Sequence, residues 1–341
     1  MLNKKNLKFR MFILLVITLL ITSFMMVGCS EEKNEQAQSP ENKKPVIDYP
    51  KGNIQAIVSY SAGGGTDTTA RVVGGFLEKE LGKSVIIVNK PGAKGELGMT
   101  EFQNGKADGY NLAFISYPDN IVMSSYKDTS YNNDKFKYIA AFTKSPTVLV
   151  VKKDSPFNTI EEFVKYAKEN PGKISVAVGG DGHIYSVAQL EQAAGIKTQI
   201  VNFTSGSKAM NAAVGGHTDA AFVAIQFGLA AIDQGCTVIG IASDERSEKI
   251  PDVPTFVEKG LDVQVMMSRI LTTPIGTPED VVNIIKTAAD KVGKNKELIE
   301  KLSNTGEVVK YMSGAELDEF IKKSDSKVKE IVTANKDYFL E

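Results

Sequence analysis

The sequence has no tryptophan, and among its 341 residues only two histidines and two cysteines occur. Such scarcity excludes a disulfide scaffold, a zinc ribbon and chemistry built on paired histidines. His183 and His217 stand 34 positions apart and cannot be two ligands on one helical turn. Charge of either sign is also not in excess: 40 Lys and Arg face 41 Asp and Glu, a formal −1. Without a basic footprint, nucleic acid is not an expected partner. Enzyme signatures are missing too, with no HExxH, CxxC or GxSxG. The glycines at 63–65 lack GxGxxG spacing, and no Lys-Ser/Thr pair follows them to hold phosphates. The expectation is therefore a non-enzyme with neither metal nor cofactor. An exported hydrolase, the remaining catalytic reading, has no nucleophile–base pair to support it.

What is present begins with an address. Lys4, Lys5, Lys8 and Arg10 precede an uncharged run over 11–27, which is 17 residues long. That is the lower edge of what spans a bilayer, and it ends at Gly28-Cys29. A positive start, a short apolar middle and a small residue before the cut read as a signal peptide over 1–28. Met26-Val27-Gly28-Cys29 also resembles a lipobox, which implies lipidation of Cys29; an uncut N-terminal anchor is the alternative. Both readings put the rest of the chain outside the cytoplasm. Residues 29–48 carry the lipidated cysteine and a polar stretch, SEEKNEQAQSPENKK, too poor in apolar surface to offset its ordering entropy. Removing 1–28 leaves 36 basic and 41 acidic groups, a formal −5, with Cys236 as a small buried hydrophobe.

From Tyr49 onward, short β-branched runs alternate with helical periods. Strands are expected at 54–60, 84–88, 112–117, 174–179, 199–203, 220–225 and 237–243, with extended segments at 142–151 and 263–273. Helices are expected at 66–80, 159–169, 182–194, 205–214, 227–234, 278–292, 296–303 and 315–339, the first carrying Ala70, Val73, Phe76 and Leu77 on one stripe. This alternation predicts an α/β fold whose sheets are mainly parallel and flanked by helices. The long extended segments are the crossings between two lobes. Lobe I then comprises 49–144 plus 267–341, and lobe II is the insertion 145–266.

Three strand-to-helix junctions are rich in glycine or hydroxyls: Ser61-Ala62-Gly63-Gly64-Gly65-Thr66-Asp67, Gly179-Gly180-Asp181-Gly182-His183 and Thr204-Ser205-Gly206-Ser207. At such junctions the first N–H groups of a helix lack internal partners and the helix dipole adds partial positive charge. Glycines bare those donors to a carboxylate. A tight turn without any ligand explains each junction alone; three in two lobes point to a shared cleft. Asp67 would repel an anion and is expected to be an N-cap. Arg71 is expected in a structural ion pair. His183 sits in a first helical turn, able to donate to a carboxylate or to serve structure alone.

The segment YSAGGGTDTTARVV at 60–73 resembles the first signature of the TctC/Bug family, the solute receptors of tripartite tricarboxylate transporters. The likeness continues through NKPGAKGELG (89–98), ADGY (107–110), VGGHTD (214–219), IPDVPTF (250–256) and PIGTP (274–278). The resemblance implies a two-lobed periplasmic-binding-protein fold, of the Venus-flytrap kind, that closes on a small organic carboxylate. It implies that Ser61, Ala62, Gly63, Gly64, Gly65, Thr66 and Asp67 hold a carboxylate through backbone amides and waters. Ser116, Tyr117, Gly179, Gly180, His183, Thr204, Ser205 and Gly206 match further cleft positions. Arg269 matches a place where many members carry a Trp-Arg pair; here Met267-Ser268 replaces the aromatic. In the cleft its planar fork would suit a second carboxylate, and on the surface it would be solvated. The implied partners are transmembrane permease subunits, with the receptor a monomer tethered by lipid to the outer face of the membrane. A sensor feeding a signalling kinase needs the same clamshell.

Overall fold

The computed structural model describes residues 47–340, and 47 onward form one compact unit. The signal peptide, the Cys29 lipidation site and most of the tether lie outside the described residues. Strand β1 (Ile54–Val58) runs into helix α1 (Gly65–Leu81), whose Ala70, Val73, Phe76 and Leu77 are buried as their spacing requires. Gly82 ends α1 in the left-handed conformation, its N–H bonding Glu78 O at 2.9 Å. β2 (Val85–Asn89), α2 (Glu96–Asn104), β3 (Asn111–Tyr117), α3 (Asp119–Tyr126) and β4 (Phe136–Thr143) complete the first passage.

β5 (Ser145–Val151) follows β4 with only Lys144 between them. The Lys144 N–H bonds Val308 O at 2.9 Å, which splits the expected continuous segment into two strands. Next come α4 (Ile160–Glu169), β6 (Ser175–Val178), α5 (Asp181–Ala194), β7 (Gln199–Asn202), α6 (Gly206–Val214), β8 (Ala220–Ala224), α7 (Ile225–Ile232) and β9 (Thr237–Ile241). The chain returns through β10 (Met266–Pro274), then α8 (Glu279–Gly293), α9 (Lys296–Asn304), β11 (Val309–Ser313), α10 (Ala315–Ala334) and α11 (Lys336–Leu340). The single C-terminal helix expected over 315–339 breaks at Asn335.

The strands form a curled mixed sheet in the order β2-β1-β3-β10-β5-β8-β6-β7. Parallel pairing joins β1 to β2 and β3, and β6 to β7 and β8, as alternation predicts. About β10 and β5 the pairing is antiparallel. β10 pairs β3 and β4 along most of its length, while Met266 and Met267 pair Pro146 and Ser145 of β5. β5 in turn pairs β8 and β9.

α2, α3, β11 and all but the last two residues of β4 escape the sequence reading. In α3 almost every side chain is buried, Asp119 and Asn120 included, so no polar face marks its period. It is wedged against α10 and α5: Tyr117 at the end of β3, just before it, packs on Phe320 with ring centroids 5.5 Å apart, and its own Tyr126 hydroxyl reaches Asp181 at 2.9 Å. Among the described residues no helix is long and apolar enough to cross a membrane.

Candidate functional site

At the first junction Gly64 is the N-cap of α1 and offers no side chain, so the leading amides of the helix stay uncapped by it. Asp67 is not the N-cap. It lies inside the first turn and reaches back to the Gly63 N–H at 2.9 Å, with Arg71 Nε at 3.1 Å and Asn89 Nδ2 at 2.9 Å also donating to it. Burial raises its pKa, but these bonds and the Arg71 charge outweigh that and hold the carboxyl below its ordinary value. Its charge is thus neutralised behind the loop, and Arg71 makes the expected ion pair at 2.9 Å.

The second and third junctions meet backbone to backbone. A Cβ on Gly179 would sit 2.2 Å from the Ser205 carbonyl carbon and 2.3 Å from Gly206 N, so only glycine permits this approach. Ser205 caps α6 through Lys208 N–H at 3.4 Å and exchanges a bond with Ser207 at 3.0 Å. These turns face the first one. Ser61 Oγ lies 3.4 Å from Thr204 Oγ1, and a Cβ on Gly64 would be 3.5 Å from Ser205 Cβ.

Between them is a cavity of about 20 Å³. One water needs about 10–15 Å³ on such a measure, so the junctions are drawn closely together. Gly64, Gly65, Thr66, Ser116, Gly179, His183, Ser205, Gly206 and Arg269 line it. Ser61, Ala62, Gly63, Asp67, Tyr117, Gly180 and Thr204 are outside its lining. Ala62 and Gly63 are on the exposed side of the loop, and the Tyr117 hydroxyl turns away to Ile321 O at 3.1 Å and to Asp325. Tyr60, Met267 and, with no signal in sequence, Asp119 and Phe227 complete the wall. Surface grooves of about 380 and 450 Å³ elsewhere are larger. Exposed lysines and glutamates edge them, whereas the small cavity gathers buried donors and acceptors, and chemistry rather than size selects it.

Arg269 is 3% exposed, so the solvated alternative does not hold. Its Nη1 donates to Ser116 Oγ at 2.9 Å, and its Nε is 3.6 Å from Glu307 Oε1. Glu307, itself 1% exposed, also accepts from Gln226 Nε2 at 2.7 Å and from the Ser145 hydroxyl. No sequence pattern marks Glu307 or Gln226; the pair exists only because β10, β11 and α7 meet. His183 Nδ1 accepts from Gly179 N–H at 3.3 Å, which puts the proton of the neutral ring on Nε2. That Nε2 is buried with no partner. Burial pushes the imidazole down to about 4, with nearby Asp119 opposing and Arg269 reinforcing the shift. The result is a neutral donor at the cavity wall. Asp119 accepts from Gly182 N–H at 2.8 Å and from the Ser116 hydroxyl.

Just behind lies Asp181, bonded by Tyr126 and 3.5 Å from Lys94 Nζ. Burial raises it to about 6; Lys94 opposes, and the Asp119 charge adds. Among the described residues, no cluster of His, Cys, Asp and Glu has the makings of a metal site. What the arrangement can do is clasp a small polar solute between two sets of amides.

The UPF0065 protein in the gbd 5′ region of Cupriavidus necator is 30% identical over 292 residues, covering 83% of this chain and 88% of that protein. A solved periplasmic transporter superposes with a TM-score of 0.78 at 28% identity, covering 83% of this chain and 97% of the other. MatC from Rhodopseudomonas palustris, solved with bound malate, superposes with a TM-score of 0.77 at 26% identity, covering 83% of this chain and all of its own (100%). Residues 69–336 match the family described as the tripartite tricarboxylate transporter family receptor, TctC, and the chain belongs to that family.

Proposed function

We propose that this protein is an extracytoplasmic receptor that captures a small organic carboxylate between its halves and hands it to transmembrane permease subunits. Receptors of this family bind solutes and are not enzymes. The observation that carries the reading is the convergence of three glycine-rich junctions on one buried cavity, where the Nε2–H of His183 lacks a partner. Uncapped helix amides and a neutral imidazole donor suit a carboxylate, which needs donors more than a counter-charge. With about 20 Å³ enclosed, entry of any such solute requires the halves to part and close again. Solute contacts made with both halves only when closed would drive that equilibrium. The lobes we assign are 49–144 with 267–341, and 145–266. The receptor acts as a monomer, and Cys29 carries the lipid that keeps it at the membrane. The malate bound to MatC supports the choice of a carboxylate.

Isothermal titration of the full-length protein in detergent, stripped of small molecules by unfolding and refolding, tests the reading. The panel comprises succinate, malate, citrate, tartrate, aromatic acids and small amino acids. We expect saturable one-to-one binding of at least one. Silence across the panel from refolded protein of native far-UV dichroism contradicts it.

A further inference from the structure

Resting on the carboxylate reading, we propose that the solute is a compact amino acid in its zwitterionic form, its ammonium received by Asp119. The walls of the cavity are short of positive charge. Arg269, the one lining cation, faces Glu307 at 3.6 Å with both side chains buried, so its charge is already matched. Asp119 has no such counterpart. Its bonds come from a backbone amide and the hydroxyls of Ser116 and Tyr60, all neutral, and no lysine or arginine among the described residues forms an ion pair with it. Lys94 pairs with Asp181 instead. His183 does not supply the missing charge, because its Nδ1 is an acceptor and its ring is neutral.

A dianion would therefore add two negative charges beside an unmatched carboxylate in a closed, desolvated space, which is costly. A zwitterion brings one charge of each sign. Its carboxylate meets the Nε2–H of His183 and the leading amides of α1, and its ammonium meets Asp119, removing the imbalance.

The test compares near-isosteric pairs on the stripped full-length protein at pH 7.5: glycine against glycolate, L-alanine against L-lactate, γ-aminobutyrate against succinate, and L-aspartate against L-malate. We expect the amino member of the pair that binds to be tighter by about tenfold or more, the scale of one buried charge contact. In Asp119→Asn that ratio should fall toward one while the hydroxy acid or diacid keeps or gains affinity. If Asp119→Asn does not fold, the wild-type ratios decide alone. Equal or tighter binding of the hydroxy acid or diacid overturns the proposal and leaves the carboxylate receptor standing. Absence of binding by every compound in both panels overturns the two together.

Discussion

Arg269 and Glu307 illustrate how much a single buried side chain can hold. Each is almost wholly enclosed, and each is the other's only opposite charge within 4 Å among the described residues. Removing one leaves the other buried and uncompensated, whereas removing both leaves no unmatched charge, only the neutral partners Gln226, Ser145 and Ser116. Arg269→Met and Glu307→Met should therefore each cost about 3–5 kcal/mol, with the double variant costing far less than their sum. Urea unfolding of the three variants reads this, and simple additivity would mean that the pair is not coupled. His183 and Asp181 predict a pH response with opposing signs. The imidazole is depressed to about 4 in the fold, so its contribution is complete above its ordinary value of 6.5 and drains away as pH falls toward 4. Asp181 is raised to about 6, so its contribution is complete below its ordinary 3.8 and is lost as pH rises through 6. Between pH 4 and 6 the two offset each other. His183→Gln should gain stability on acidification relative to wild type, and Asp181→Asn should lose it, each by on the order of 2 kcal/mol. Parallel profiles for wild type and both variants between pH 4 and 7 would remove these groups from the account.

At the scale of the elements, glycine decides how closely two junctions approach. Gly179 lets the end of β6 touch the start of α6, where backbone atoms lie about 2.2 Å from the position of an added Cβ. Backbone cannot swing aside as a side-chain tip can, so Gly179→Ala must push α5 and α6 apart. We expect a loss of about 2–3 kcal/mol and at least tenfold weaker solute binding. Gly64 is the contrast. Its backbone is extended at φ −78°, and an added Cβ would come no closer than 3.2 Å to Ser61 O. Gly64→Ala should cost under about 1 kcal/mol. Thermal unfolding of the two variants side by side checks the ranking, and the reverse order would contradict the packing argument. The same logic explains the role of Asp67. A negative charge beside anion-binding amides is tolerable because Gly63, Arg71 and Asn89 draw it to the outer side of the turn.

For the whole molecule, the lobe assignment proposed above makes three bonds the ties between the halves of a closed form. Gln226 at the start of α7 reaches Glu307 near β11, Gly182 at the start of α5 reaches Asp119 in α3, and Ser61 approaches Thr204. Gln226 is outside the cavity lining, so Gln226→Ala changes closure without removing a solute contact. Losing a bond to a charged acceptor, about 1.5–3 kcal/mol, should open the unliganded protein and weaken apparent affinity about tenfold or more. Small-angle scattering should record a larger radius of gyration that contracts on adding solute. An unchanged radius with unchanged affinity would show that closure does not depend on this contact.

The sequence alone determined the alternating elements and the glycine junctions, because strand and helix periods and the need for bare backbone are local properties. The buried stripe of α1 follows from spacing, and the succession of short motifs was enough for the family. It did not reveal α3, whose burial on nearly every side erases the period, nor the antiparallel pairing of β10 and β5. Nor could it reveal the polar set behind the cavity. Glu307 meets Gln226 from 81 positions away and Ser145 from 162, and Asp119 meets Gly182 from 63. Only the folded sheet brings these groups together, and the charge balance that selects a solute is a sum over distant residues that no local pattern encodes.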